Sequence, residues 1–265
     1  MRRIVTNNDN GTTTTTIYDD VSGAVDAAYT VGPQGGLYLW PPLVHAVDYD
    51  LRDEYPWARY ELRYELYNVG AQLALVATVM DDGSAYARQL SYFGAIGNHP
   101  IQFREVTTIT AANGRPDYVL DVYRVIDFRA GPAPDYMSKA LDYDPSTGRL
   151  DYSITVYRNG LQETVDYDPA SGNKDYAIIT SRTGVVTAED YDAATGLLDY
   201  VVTTYAPGHV LAQDYDAAGR LDYAVEWFAD GRYTATDHDL ADEHPWSTFT
   251  VAYGASGDVL GYSST

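Results

Sequence analysis

Asp142-Tyr143-Asp144-Pro145-Ser146-Thr147-Gly148 opens a pattern that returns three times, as Asp166-Tyr167-Asp168, Asp190-Tyr191-Asp192 and Asp214-Tyr215-Asp216. A divergent copy reads Asp237-His238-Asp239, and the five starts lie 24, 24, 24 and 23 residues apart. A fixed period in this range marks a repeat architecture. Each repeat carries two turn signals. One is a pair ending in glycine: Asn159-Gly160, Thr183-Gly184, Pro207-Gly208 and Asp230-Gly231. The other is the loop after the triplet, closed by Gly148, Gly172, Gly196 or Gly219. Runs such as Tyr152-Ser153-Ile154-Thr155-Val156-Tyr157 lie between them, rich in β-branched and aromatic residues. The repeat therefore reads as strand, tight turn, strand, longer turn. The fold class is all-β, an antiparallel meander of tandem hairpins.

Register follows from the turns. A two-residue type I′ loop at Asn159-Gly160 needs positive φ at both positions. It sets Tyr152 opposite Tyr167 and Ile154 opposite Val165. Thr183 and Pro207 suit that turn poorly, since proline cannot take positive φ, so those copies are expected to turn differently. A loop at Pro145 to Gly148 sets Tyr143 opposite Leu150 and Asp142 opposite Asp151. Both registers put the tyrosines on one face as a cross-strand aromatic ladder. The aspartates fall on the other, with Ile179, Val201, Tyr205 and Phe228 nearer the tight turns.

The chain has 265 residues, 45% hydrophobic, with 26 tyrosines and no cysteine. Disulfides and thiolate chemistry are thereby excluded. Its formal charge of −21, from 38 acidic and 17 basic residues, argues against nucleic acid and anionic membranes as partners. No apolar run is long enough to insert in a bilayer as a helix. The start, Met1-Arg2-Arg3-Ile4-Val5, has no apolar core of the signal-peptide kind. Location outside the cell would then come by a leaderless route or as part of a larger exported protein.

Three regions result. Residues 1–45 hold a half-repeat hairpin about Asn10-Gly11, Arg3 to Thr6 with Thr12 to Tyr18, followed by a Gly/Pro connector from Val21 to Pro42. Leu37 to Trp40 is expected as a short strand within it. Residues 46–135 form an irregular β region with an inserted loop at Gly131 to Pro134. Residues 136–265 form the regular array. Asp48 to Trp57 matches Asp237 to Trp246 at a constant offset of 189. This variant repeat ends in Pro-Trp, and its tryptophan is expected to fold an acidic loop back as a cap.

The run Tyr215-Asp216-Ala217-Ala218-Gly219-Arg220-Leu221, with Gly231 following, resembles the YD repeat of bacterial Rhs proteins and teneurins. The resemblance covers about Asp142 to Asp239, with fragments near Tyr18 and Tyr49. The period here is mostly longer than that family's, and the repeats are too few to close a cage. The Pro-Trp variant and the turn Asn8-Asp9-Asn10-Gly11-Thr12 also resemble repeats of large acidic bacterial exported proteins. These resemblances imply an extracellular β scaffold rather than a particular chemistry.

The sharpest chemical signal is the aspartates. The expected groups at the turns are Asp142, Asp144 and Asp151; Asp166, Asp168 and Asp175; Asp190, Asp192 and Asp199; and Asp214, Asp216 and Asp222. Like charges opposite one another in a sheet are destabilising. Calcium, with six to eight hard oxygen ligands, would offset them; Asx turns on a solvated edge are the plainer reading. His238 and His244, with Asp237, Asp239, Asp242 and Glu243, form a second metal candidate that reads more simply as a solvated loop. No nucleophile motif or phosphate loop is present. The reading is a non-enzymatic structural or adhesive repeat protein, stabilised by calcium and assembling through strand edges into homo-oligomers or filaments. A carbohydrate-binding module presenting Tyr205, Trp227 and Trp246 to glycans is the alternative, and a glycoside-active enzyme the third.

Overall fold

A computed structural model describes residues 2–33, 43–67, 70–96, 99–125, 134–241 and 243–265. Leu37 to Trp40 and most of the loop at Gly131 to Pro134 lie outside these. The described residues hold twenty strands and no helix. The chain divides into two compact units, 1–148 and 149–265.

In the first unit the strands are β1 (Arg2–Asn7), β2 (Thr13–Tyr18), β3 (Val25–Val31), β4 (Leu43–Tyr49), β5 (Trp57–Tyr67), β6 (Gly70–Met80), β7 (Ala85–Ile96), β8 (His99–Thr110), β9 (Pro116–Val125) and β10 (Tyr136–Tyr143). Each pairs antiparallel with the next. The second unit holds β11 (Leu150–Tyr157), β12 (Gln162–Tyr167), β13 (Lys174–Thr180), β14 (Val186–Tyr191), β15 (Leu198–Ala206), β16 (His209–Tyr215), β17 (Leu221–Trp227), β18 (Tyr233–His238), β19 (Thr248–Tyr253) and β20 (Val259–Ser264). Its strands also pair in sequence order. Both units are β-meanders, as the repeat pattern dictates. β3 falls inside the expected connector, so the first hairpin belongs to a full repeat rather than a half-repeat.

Two local devices correct the sequence-derived register. At the tight turn, Tyr157 N–H donates to Leu161 C=O and Gly160 N–H to Tyr157 C=O, at 2.8 and 3.0 Å. The loop is thus three residues long, with only Gly160 in the left-handed region, at φ 87°. The same bonds recur from Ser181 to Val185, so Thr183 turns as Asn159 does; the residue before the glycine needs no positive φ. Of the four Xaa-Gly pairs of the array, Pro207-Gly208 follows a two-residue loop, with Ala206 paired to His209 and Gly208 at φ 80°. A proline φ near −65° followed by positive φ is the type II pattern.

The second device is a β-bulge beside the loops that follow Asp166, Asp190 and Asp214, and beside the loop at Asp19. Tyr167 pairs with Lys174, yet Asp166 pairs with Tyr176, leaving Asp175 as the extra residue. Asp199, Asp222 and Asp26 are the extra residues of their own repeats. One added residue changes which side chain opposes which. With the three-residue loop at Gly160, Tyr152 and Tyr167 lie on opposite faces, and Tyr152 shares its face with Asp166. The expected segregation of tyrosines from aspartates does not hold, and Ile179 and Val201 lie on the face opposite Asp166.

Few side chains are fully enclosed. The buried apolar ones among the described residues are Ala74, Val165, Ala177, Val201 and Ala212. In the second unit Ser153, Thr155, Val165, Ala177 and Val201 are buried on one face, the face opposite Asp166.

Candidate functional site

The triplet loop is built around its third residue. Asp168 Oδ1 accepts the N–H groups of Ala170 and Ser171 at 2.5 and 3.1 Å. Asp192 accepts those of Ala194 and Thr195 at 3.0 and 2.7 Å, with the Thr195 hydroxyl at 2.9 Å. Asp144 binds Ser146 and Thr147 in the same way, and Asp216 binds Ala218 and Arg220. The first-unit loop at Asp19 repeats the arrangement with Val21 and Ser22. These donors hold the carboxyls of Asp144, Asp192, Asp216 and Asp19 below their ordinary range. These loop aspartates are turn-makers, the Asx role.

Neighbouring loops are stitched by the residue after the glycine. Arg149 donates to the carbonyls of Pro169 and Ala170, and Asn173 to those of Ala193 and Ala194 at 3.1 and 3.3 Å.

The first aspartate of each triplet has a different position. Cross-strand pairing runs Tyr152–Asp166–Tyr176–Asp190–Tyr200–Asp214–Tyr223–Asp237 without a break over eight strands. The four rings are 37%, 40%, 41% and 42% exposed, so they are open to a partner. Among the described residues no side chain forms a hydrogen bond or ion pair with the carboxylates of Asp166, Asp190, Asp214 or Asp237, and the Tyr167 backbone N–H bonds that of Asp166. Partial burial first, and then Asp151 and Asp175, push the Asp166 carboxyl above its ordinary value. Asp48 is raised in the same way, by burial and then by Asp26 and Asp50. The bulge residue Asp175 thus acts electrostatically on Asp166, while Asp168 serves the loop.

The opposite face treats its acids otherwise. Glu163 is bonded by Tyr157 at 3.0 Å and by Lys174 at 3.4 Å, Glu189 by Tyr191 at 2.5 Å, and Glu226 pairs with His209 at 2.8 Å. Burial, followed by the bond to Glu189, pushes the Tyr191 phenol well up. In the first unit Asp121 holds Arg104 and Tyr136.

The Pro-Trp loops superpose in chemistry as in sequence. Asp50 accepts the N–H groups of Glu54 and Tyr55 at 3.0 and 2.6 Å, and Asp239 those of Glu243 and His244 at 3.0 and 2.6 Å. Trp57 stacks on Tyr55 at 5.0 Å and tilts against Tyr60 at 6.0 Å. Trp246 does the same with His244 at 4.5 Å and Phe249 at 5.5 Å. The tryptophan clamps its loop to the strand that follows, and the His244 ring packs on the indole. Asp242 lies outside the described residues. Of the other aromatic residues considered for glycans, Tyr205 lies tilted against His209 at 4.8 Å and Trp227 is exposed.

Among the described residues no three acidic or histidine side chains converge closely enough to hold a metal ion. In the groups of Asp166, Asp190 and Asp214, for which calcium was expected, one carboxylate closes the loop, one stands in the row and one sits at the bulge, and in that of Asp142 the loop is closed by Asp144. The bulge relieves the direct opposition of aspartates that the unbulged register would impose.

No family model matches the chain, and no curated protein does. Among solved structures it is similar to a chain of the Photorhabdus luminescens Tc holotoxin pore, with 14% identity over 98% of this chain and a TM-score of 0.21. The chain spans 14% of that chain's length. A likeness at this level establishes no shared overall fold.

Proposed function

We propose that this all-β repeat protein is a non-enzymatic structural module of an extracellular bacterial assembly, extended by edge-to-edge strand pairing. The observation that carries the reading is the state of the outermost strands. β1 is exposed at all six residues, and within its unit it pairs with β2 alone. β20 is exposed at five of six, with Val259, Leu260 and Tyr262 60%, 60% and 78% open. Unpaired edges with apolar side chains accept further strands. A head-to-tail contact of this kind propagates unless rotation closes it. Two further points support a scaffold: what repeats is turn machinery, and the resemblance of Tyr215 to Leu221 to the YD repeat implies an exported β array.

Deleting Met1 to Asp20 tests this reading. Loss of higher-order species on light scattering, with strand content retained by circular dichroism, is the expected result. A monomeric mass unchanged by the deletion would overturn it. The half-exposed rings of Tyr152, Tyr176, Tyr200 and Tyr223 favour a second reading, a carbohydrate-binding module, which a glycan array against their alanine variants tests.

A further inference from the structure

The Tyr–Asp row has a surface relief as well as a charge. Moving inward along the strands by two residues, the row beside it alternates in size. Ile178 and Val202 stand on the tyrosine strands, and Ala188 and Ala212 on the aspartate strands. The strands of Asp190 and Asp214 are therefore troughs, whereas that of Asp166 carries Thr164 at the same position. The floor of each trough is an alanine, its end is an exposed carboxylate, and its walls are a tyrosine and a β-branched residue on either side. Strands lie about 4.7–4.9 Å apart, so the troughs recur every ~9.4–9.8 Å. From β11 to β18 no paired position on this face is a lysine or arginine. The opposite face, by contrast, supplies partners for its acids. Four carboxylates without a side-chain partner, uniformly spaced between aromatic residues, call for a cationic occupant of the same period.

A polyproline II helix rises ~3.1 Å per residue with three residues per turn, a repeat of about 9.3 Å. One residue in every three then points the same way, in step with the troughs. A lysine stem would lie on Ala188 between the walls and carry its ammonium to Asp190, where the neighbouring rings add cation–π attraction. The intervening prolines would contact the tyrosine rings, as such helices do in aromatic-lined grooves.

We propose that this face binds an extended proline-rich segment with a lysine or arginine at every third residue. Strand twist turns the row by ~20–25° per strand, so one rigid segment spans the two troughs at Asp190 and Asp214 rather than the whole row. The occupant lies flat on the face and needs no free strand edge, so this inference stands apart from edge assembly.

The test is titration of the full chain, at low salt, with the capped peptide Lys-Pro-Pro-Lys-Pro-Pro-Lys, read by tyrosine fluorescence or calorimetry. Saturable binding is expected, weakened roughly tenfold in Asp190→Asn with Asp214→Asn, and by a similar factor in Tyr200→Ala. Asp→Asn keeps shape, and circular dichroism checks that each variant folds. A peptide of equal charge with lysine at every second residue should bind at least several-fold more weakly. Equal binding of the two peptides would reduce the effect to bulk charge and overturn the proposal. Absence of binding would overturn it too, as would capture of neutral oligosaccharides by the row without the peptide.

Discussion

Asp190 lies directly opposite Tyr200, while the adjacent Asp199 is the extra residue of a β-bulge. Removing either residue of β15 makes the ladder regular, with opposite consequences. Deletion of Asp199 leaves Asp190 facing Tyr200, whereas deletion of Tyr200 brings Asp199 opposite Asp190. Thermal melts of the two single-residue deletions should show the Tyr200 deletion less stable by about 1 kcal/mol, the scale of a like-charge cross-strand pair. Equal stabilities would mean that the bulge has no electrostatic role.

Neutralising Asp166 should stabilise the protein. Its folded pKa is raised by partial burial and by Asp151 and Asp175. A carboxyl with a raised folded pKa binds its proton more tightly when folded, so it takes stability away as pH rises through that window. Asp166→Asn should raise the melting temperature at pH 7, by the equivalent of about 0.2–1 kcal/mol. The gain should vanish below pH 3.8, the ordinary carboxyl value, where Asp166 itself is protonated.

The loop aspartates have the opposite sign. Asp192 is held down by the Thr195 backbone and hydroxyl and by the Ala194 N–H. The stability it contributes is present above its ordinary pKa of 3.8 and is lost as pH falls through the depressed folded value. Asp192→Ala should lower the melting temperature at pH 7, while Asp192→Asn, which keeps an acceptor, should lower it less. The alanine penalty should shrink in acid. An alanine penalty independent of pH would place its origin outside the carboxylate.

Glycine substitutions should rank by what surrounds them. Gly184 sits at φ 85° with nothing within 4 Å of an added Cβ. Gly184→Ala should then cost only the left-handed strain, about 1–2 kcal/mol. Gly208 sits at φ 80°, and its Cβ would come 3.1 Å from the Ala229 Cα. Gly208→Ala should cost more than Gly184→Ala in urea melts, because backbone has to move as well.

Calcium is expected to add little to loops that close on their own N–H groups. Calorimetry at millimolar calcium should show no saturable heat, and the melting temperature should move no more than it does with an equal ionic strength of sodium chloride. Saturable binding abolished by Asp142→Asn with Asp166→Asn would restore calcium as the partner of the triplet aspartates.

Period and turn chemistry made the meander legible in the sequence. Asp-Tyr-Asp every 24 residues, with glycine at the one left-handed position of each turn, allows little else, because those loops close locally and are made within single repeats. The duplication of Asp48 to Trp57 at Asp237 to Trp246 was legible for the same reason, and both copies close the same Asx loop. Which side chains share a face was not legible. Strand alternation has a period of two, so a single bulge residue such as Asp175, or a loop of three residues instead of two at Gly160, exchanges faces wholesale. Local sequence marked where the turns of the array fall, but turn length and pairing between strands decided that Asp166 would face Tyr152 and Tyr176 across the sheet. That choice belongs to the tertiary structure because it depends on the ladder as a whole, where the bulge keeps aspartates from opposing one another.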